Sequence, residues 1–143
     1  LTGGAGKDTI TGATGVDTNT GGAGADTLTG GAGADNFTYT AATESNGVNV
    51  DTITDFVSGT DKLAINTTGT GAAAVYLGEA AGYGAVLTAL SGGATANGGE
   101  AVLDTTTGTL YIDINVDGVL DANDMAIQLT GVTDLATGDF TWS

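Results

Sequence analysis

Four aspartates, Asp8, Asp17, Asp26 and Asp35, recur every nine residues near the start of this chain. Each is the sixth residue of a nonapeptide: GGAGKDTIT, GATGVDTNT, GGAGADTLT and GGAGADNFT follow one another from Gly3 without insertion. A carboxylate is a hard oxygen donor. Glycines at the first, second and fourth positions let the backbone turn tightly enough for carbonyl oxygens to converge beside it. Six to eight hard oxygens in loose geometry are what calcium accepts. The chemistry to expect is cation binding, with glycine-rich turns as its frame. A flexible glycine-rich linker would not hold an acid and a hydrophobe at a fixed phase of nine.

The elements that must present these aspartates follow from the same repeat. Six residues form a turn and three form a strand. The triplets Thr9-Ile10-Thr11 and Thr27-Leu28-Thr29 set one apolar side chain inward between two outward threonines. Two such units complete one turn of a parallel β-roll, which stacks Asp8 over Asp26 and Asp17 over Asp35 at about the 4.8 Å strand spacing. At an effective dielectric near 20 each stacked pair repels by roughly 3 kcal/mol. Burying Ile10, Leu28 or Phe37 contributes only about 1.5–3 kcal/mol each, and the fourth inward position is Asn19, which contributes less. The cation-free roll is therefore expected to lie close to unfolded, and calcium binding and folding become one event. Leu1 and Thr2 fit the last two positions of a preceding repeat, so the chain reads as a piece of something longer that begins in mid-array.

Composition narrows the partners. Seventeen acids against two bases give 143 residues a formal charge of −15, with no histidine and no cysteine. Nucleic acid and anionic membrane surfaces are unfavourable partners for such a chain. Charged residues are nevertheless only 13% and apolar residues 41%, which is not the balance of a disordered acidic tail. There is no disulfide framework or thiolate site, no run long enough for a transmembrane helix, and no visible signal peptide. Catalysis lacks its usual groups: there is no H-E-x-x-H, no cysteine nucleophile and no G-x-S-x-G. Any enzymatic activity is expected to lie upstream of these residues.

After the repeats the nine-residue phase predicts an acid at position 44, and Glu44 stands there in a stretch that has lost its glycines. Glu44 is expected to close a site over Asp26 or to be a solvated surface acid, and Asp51 lies within reach of the same ion. The segment from Asp51 to Ile65 carries apolar Ile53, Phe56, Leu63 and Ile65 around a turn signal at Ser58–Asp61. Tyr83, Val86, Leu87 and Leu90 have helical spacing, weakened by Gly82 and Gly84 at about 1 kcal/mol each. Ser91 to Gly99 reads as a loop.

The nonapeptides resemble the calcium-binding repeats of RTX (hemolysin-type) proteins. GGAGADNFTYTAATES followed by DTITDFVSGTDKLAI resembles the C-terminal domain of serralysin-type proteases, shared in part by other type I exported proteins. The resemblance implies an all-β fold: a calcium-loaded parallel β-roll over residues 1–50, then a β-sandwich-like cap over 51–143 with room for a short helix. It also implies a ligand set. One ion would take Gly4, Gly6, Asp8, Gly21, Ala23 and Asp26, glycines and alanines through their carbonyls. A second would take Ala13, Gly15, Asp17, Gly30, Ala32 and Asp35, with Ala13 departing from the family's glycine. Glu44 and Asp51 are implied as late ligands.

A second calcium signature follows the strand–turn–strand pattern of 101–112. Asp113, Asn115, Asp117, Gly118, Val119, Asp121 and Asp124 match positions one, three, five, six, seven, nine and twelve of an EF-hand loop. The Val119 ligand would be its carbonyl. Position twelve is Asp instead of the bidentate Glu, as in dockerin-type loops, which this loop resembles. Flanking strands argue against a helix–loop–helix, and an acidic hairpin turn is the alternative. The terminal Gly138-Asp-Phe-Thr-Trp-Ser143 is similar to the Asp-Phe ending of type I substrates. Phe140 and Trp142 also fit two inward residues of a final strand.

These readings combine into a non-catalytic module, secreted and extracellular, that folds on binding several calcium ions. By resemblance its export partner is a type I secretion apparatus. The alternative is a surface-layer or adhesin module that self-associates at a cell surface in calcium.

Overall fold

A computed structural model describes residues 1–66, 75–92, 99–115, 117, 119–121 and 123–142. Within the nonapeptides the chain passes back and forth between two facing sheets. Strands β1 (Thr2–Ala5), β3 (Thr18–Ala23) and β5 (Asn36–Tyr39) lie in one, β2 (Thr9–Thr11) and β4 (Thr27–Thr29) in the other. Each crossing is a glycine-rich turn. All pairs are parallel, with Ile10 beside Leu28 and Asn19 beside Phe37. This is the β-roll that a two-unit period requires, and Ile10, Asn19, Leu28 and Phe37 are all buried inside it.

Both sheets continue past position 50. β6 (Asp51–Ile53) adds to β4, and β7 (Lys62–Ile65) adds to β5, each in parallel. The chain then supplies β8 (Val75–Ala80), helix α1 (Tyr83–Gly92), β9 (Glu100–Asp104), β10 (Thr109–Asp113), β11 (Met125–Leu129) and β12 (Phe140–Trp142). The final orders are β1-β3-β5-β7-β12 and β2-β4-β6-β11-β10-β9-β8. The C-terminal part thus extends the same two layers. Its β9-β10-β11 meander is antiparallel, whereas β11 joins β6 and β12 joins β7 in parallel.

One apolar core runs between the layers, from Ile10 through Phe37, Ile53, Leu63, Leu103 and Ile127 to Phe140. A smaller cluster of Val86, Leu90 and Val102 lies on the outer side of β9, where α1 covers it. β9 is therefore buried on both faces, Ala101 and Leu103 facing the core and Val102 facing α1. Gly82, with φ of 91°, precedes α1, and its carbonyl accepts the N–H of Val86 at 3.1 Å. The glycine that weakens the helix on paper thus forms the turn that starts it. β12 takes Phe140 into the core with Trp142 stacked on it, ring centroids 5.1 Å apart, and Tyr76 of β8 meets Phe140 at 5.0 Å. No helix among the described residues is long and apolar enough to cross a membrane.

Candidate metal centre

The turns between sheets fall on two edges of the roll, and each edge carries a ladder of aspartates. On the first, Asp8 N–H donates to Asp26 Oδ1 at 2.8 Å, and Asp26 N–H donates to Asp51 Oδ1 at 2.8 Å. On the second, Asp17 N–H donates to Asp35 Oδ1 and Asp35 N–H to Asp61 Oδ1, both at 2.9 Å. One carboxylate oxygen of each later aspartate is thereby tied to the coil before it. At Asp26, Asp35 and Asp51 the other oxygen, Oδ2, is buried without a hydrogen-bond partner, as is Oδ2 of Asp8. Asp17 Oδ2, by contrast, accepts Ala13 N–H at 2.9 Å, and Asp61 Oδ2 accepts Val57 N–H at 2.8 Å. A buried carboxylate oxygen with nothing to accept is costly, and its recurrence at Asp8, Asp26 and Asp51 on the first edge and at Asp35 on the second points to a ligand there.

Carbonyl oxygens approach the Asp8 and Asp17 carboxylates across the glycines that open each turn. A methyl group built on Gly3 would sit 2.6 Å from both Asp8 Oδ2 and the Gly21 carbonyl oxygen. One built on Gly12 would meet the Gly30 carbonyl and, at 2.8 Å, Asp17 Oδ2. Each first-position glycine thus opens an oxygen-lined recess that a Cβ would fill. The carbonyls of Gly4, Gly6 and Gly15 point at Gly22, Gly24 and Gly33 of the next coil. At Gly22 (φ 96°) and Gly33 (φ 149°) a side chain is barred twice, by the backbone angle and by that approaching carbonyl. Ala23 and Ala32 accept the N–H of Gly6 and Gly15 at 2.7 Å, and Ala13 accepts Ala32 N–H at 2.9 Å. A carbonyl has two lone pairs, so each keeps one for a cation. The donors are carboxylate and carbonyl oxygen only, the hard set that suits calcium. Among the described residues no three carboxylates gather where they could hold one ion, so carbonyls must complete any site here.

Residues 2–142 match the family model described as peptidase M10 serralysin C terminal. The chain belongs to this family. No curated protein matches it. Among solved structures it is similar to the solution structure of the AlgE6R3 subunit from the Azotobacter vinelandii mannuronan C5-epimerase. That likeness has a TM-score of 0.49 at 17% identity, over 96% of this chain and 78% of the other.

In this serralysin-family chain the third rung of each ladder departs from the nine-residue phase. Asp51 follows Asp26 by 25 residues and Asp61 follows Asp35 by 26, against 18 within the repeats. The extra length of the first loop forms a short 3₁₀ turn, Ala42–Glu44, and Glu44 is used there: Thr40 N–H and Thr40 Oγ1 donate to its carboxylate at 2.9 and 2.6 Å. Asp51, and not Glu44, therefore stands over Asp26. Asp61, absent from the sequence-based set, has its signal in the triplet Asp61-Lys62-Leu63, which repeats the Asp-x-apolar pattern of Asp8-Thr9-Ile10. Asp55 closes the second edge differently, accepting Gly30 and Gly31 N–H with both oxygens at 2.8 Å.

In the 113–124 loop Asp113 and Asp124 are buried and Asn115, Asp117 and Asp121 are exposed. Asp124 accepts Ile114 N–H at 3.0 Å and Asp121 N–H at 2.8 Å. Asp117 accepts Val119 N–H, and Asp121 accepts Asn123 N–H, at 2.8 and 2.7 Å. Asp117, Asp121 and Asp124 thus each accept backbone N–H groups of the loop, and among the described residues no three acids form a group that could hold an ion. Val119 itself is exposed, and Gly118 lies outside the described residues.

Burial pushes the Asp51 carboxyl up from 3.8 to about 7; the bond from Asp26 N–H opposes this, and the Asp26 charge adds to it. Below about pH 4 the group is protonated both folded and unfolded. Between about pH 4 and pH 7 the unfolded chain sheds a proton that the folded chain keeps, so calcium-free stability must fall across that window. Urea unfolding in chelator is expected to give a lower midpoint at about pH 8 than at about pH 5. Asp51→Asn should abolish most of that difference.

Proposed function

We propose that this chain is a non-catalytic calcium-binding module that folds on calcium, the C-terminal part of a larger protein exported through a type I system. The observation that carries the reading is the pair of aspartate ladders, each rung with one oxygen tied to the coil before it and one buried oxygen unpartnered at Asp26, Asp35 and Asp51. Gly4, Gly6, Asp8, Gly21, Ala23 and Asp26 would hold calcium on the first edge. Ala13, Gly15, Asp17, Gly30, Ala32 and Asp35 would hold it on the second. Bound calcium supplies positive charge between carboxylates that otherwise repel. Extracellular calcium modules bind at about 10⁻⁴–10⁻³ M, which would leave the chain open in the cytosol and folded outside.

The test is a calcium titration followed by far-UV circular dichroism and light scattering. A cooperative gain of β signal is expected, reversed by chelator and not reproduced by equimolar magnesium, which demands octahedral geometry. A monomer at the end of the titration supports the export module. Calcium-dependent oligomers would favour a self-assembling surface module, and a spectrum indifferent to calcium would remove the reading.

A further inference from the structure

Each aspartate ladder ends in a buried contact with the C-terminal part of the chain, and the two contacts are separate. On the first edge Ser45, fully buried, accepts Asp51 N–H at 2.9 Å and donates its hydroxyl to the Ala126 carbonyl at 2.5 Å. Ala126 N–H returns a bond to the Ser45 carbonyl at 3.1 Å. Asp51 is thus held from behind by β11 while its Oδ1 holds Asp26. On the second edge the fully buried residue is Asp139. It accepts Ser58 Oγ at 2.7 Å and the N–H groups of Gly59 and Ala136 at 2.8 Å, with Lys62 Nζ at 4.0 Å. Although burial works against its charge, these donors hold its carboxyl below the usual carboxylate range. The turn it grips is the one that presents Asp61, whose Oδ2 accepts Val57 N–H at 2.8 Å and whose Oδ1 accepts Asp35 N–H.

We propose that Ser45 and Asp139 are two independent positioning latches, each fixing the last aspartate of one edge and so setting how tightly that edge holds its calcium. The assignment rests on the calcium reading above for its consequence, and on the hydrogen bonds alone for its structure. Both make their key contacts with residues about 80 positions away. Without its latch the terminal aspartate must be ordered when the cation arrives. Ordering one residue's backbone corresponds to roughly tenfold weaker binding.

Native-state hydrogen exchange of the 143-residue chain, read by NMR over a series of calcium concentrations, separates the edges. The amides of Asp8 and Asp26 report the first, those of Asp17 and Asp35 the second. Ser45→Ala is expected to lower the protection of Asp26 about tenfold and that of Asp35 by less than about threefold, with Ser45→Thr restoring it. Asp139→Asn, and the milder Ser58→Ala, should do the reverse. Equal loss on both edges in every variant would reduce these residues to general stabilisers and overturn the proposal, as would no loss on either. Should wild-type protection prove independent of calcium while the variants still act on one edge each, the latches stand and the calcium reading falls.

Discussion

Asp26→Asn is expected to weaken the response to calcium by about 10–100-fold while making the calcium-free protein more stable. Asp26 is the middle rung of the first edge, buried, with Asp8 before it and Asp51 after it. Asparagine keeps a side-chain oxygen to accept Asp8 N–H, so the rung survives. It loses the charge that a cation site shared with either neighbour would use, and each tenfold in affinity is about 1.4 kcal/mol. The same loss of charge removes repulsion from two stacked carboxylates, each roughly 3 kcal/mol before screening. A net gain of about 1–2 kcal/mol in chelator is the expected remainder. Calcium titration calorimetry and urea unfolding in chelator read the two signs separately. Lower stability in chelator would mean that the carboxylate is structural and not repelled by its neighbours, and an unchanged calcium affinity would mean that the ladder needs no cation.

The second large effect is Asn19→Leu. Asn19 occupies an inward position of β3 beside Phe37, fully buried, and neither Nδ2 nor Oδ1 has a hydrogen-bond partner. Leucine has a similar branched shape and removes both orphaned groups. Their desolvation and the new apolar contact together are worth about 2–4 kcal/mol. Because the change lies in the core and not on an edge, the gain should be the same with saturating calcium and in chelator. The calcium midpoint of folding should fall with it, since a more stable fold asks less of the ion. Paired urea curves with and without calcium measure this. A loss of stability would show that the amide has a partner and that the core layer is polar by need.

These two residues also show what could be read from the chain alone. The roll was legible because every coil must solve the same problem, an oxygen donor at the turn and a hydrophobe inside, so Asp8 to Asp35 and Ile10 to Phe37 repeat in step. β12 was legible in part, Phe140 and Trp142 sharing the inward face that a final strand gives them. The ladders' third rungs were harder. Extending the period points to Glu44, yet the turn lengthened, Glu44 turned back to cap Thr40, and Asp51 and Asp61 carried the pattern on. The Asp-x-apolar triplet at both positions was the better guide than the count of residues between them. Ser45 and Asp139 had no local signal at all, since a buried serine or aspartate acquires its role only from partners far along the chain. In the 113–124 loop the spacing suits an ion, and Asp117, Asp121 and Asp124 also accept backbone N–H groups within the loop.

The governing idea is that calcium on the two aspartate edges and the folded roll are a single equilibrium. Its most direct measurement is the unfolding free energy as a function of free calcium activity, obtained from urea curves in calcium buffers. Linkage predicts a rise with the logarithm of calcium whose slope counts the ions released on unfolding, here at least one from each edge. A flat line, with chelated and calcium-saturated protein unfolding at the same urea concentration, would contradict the account.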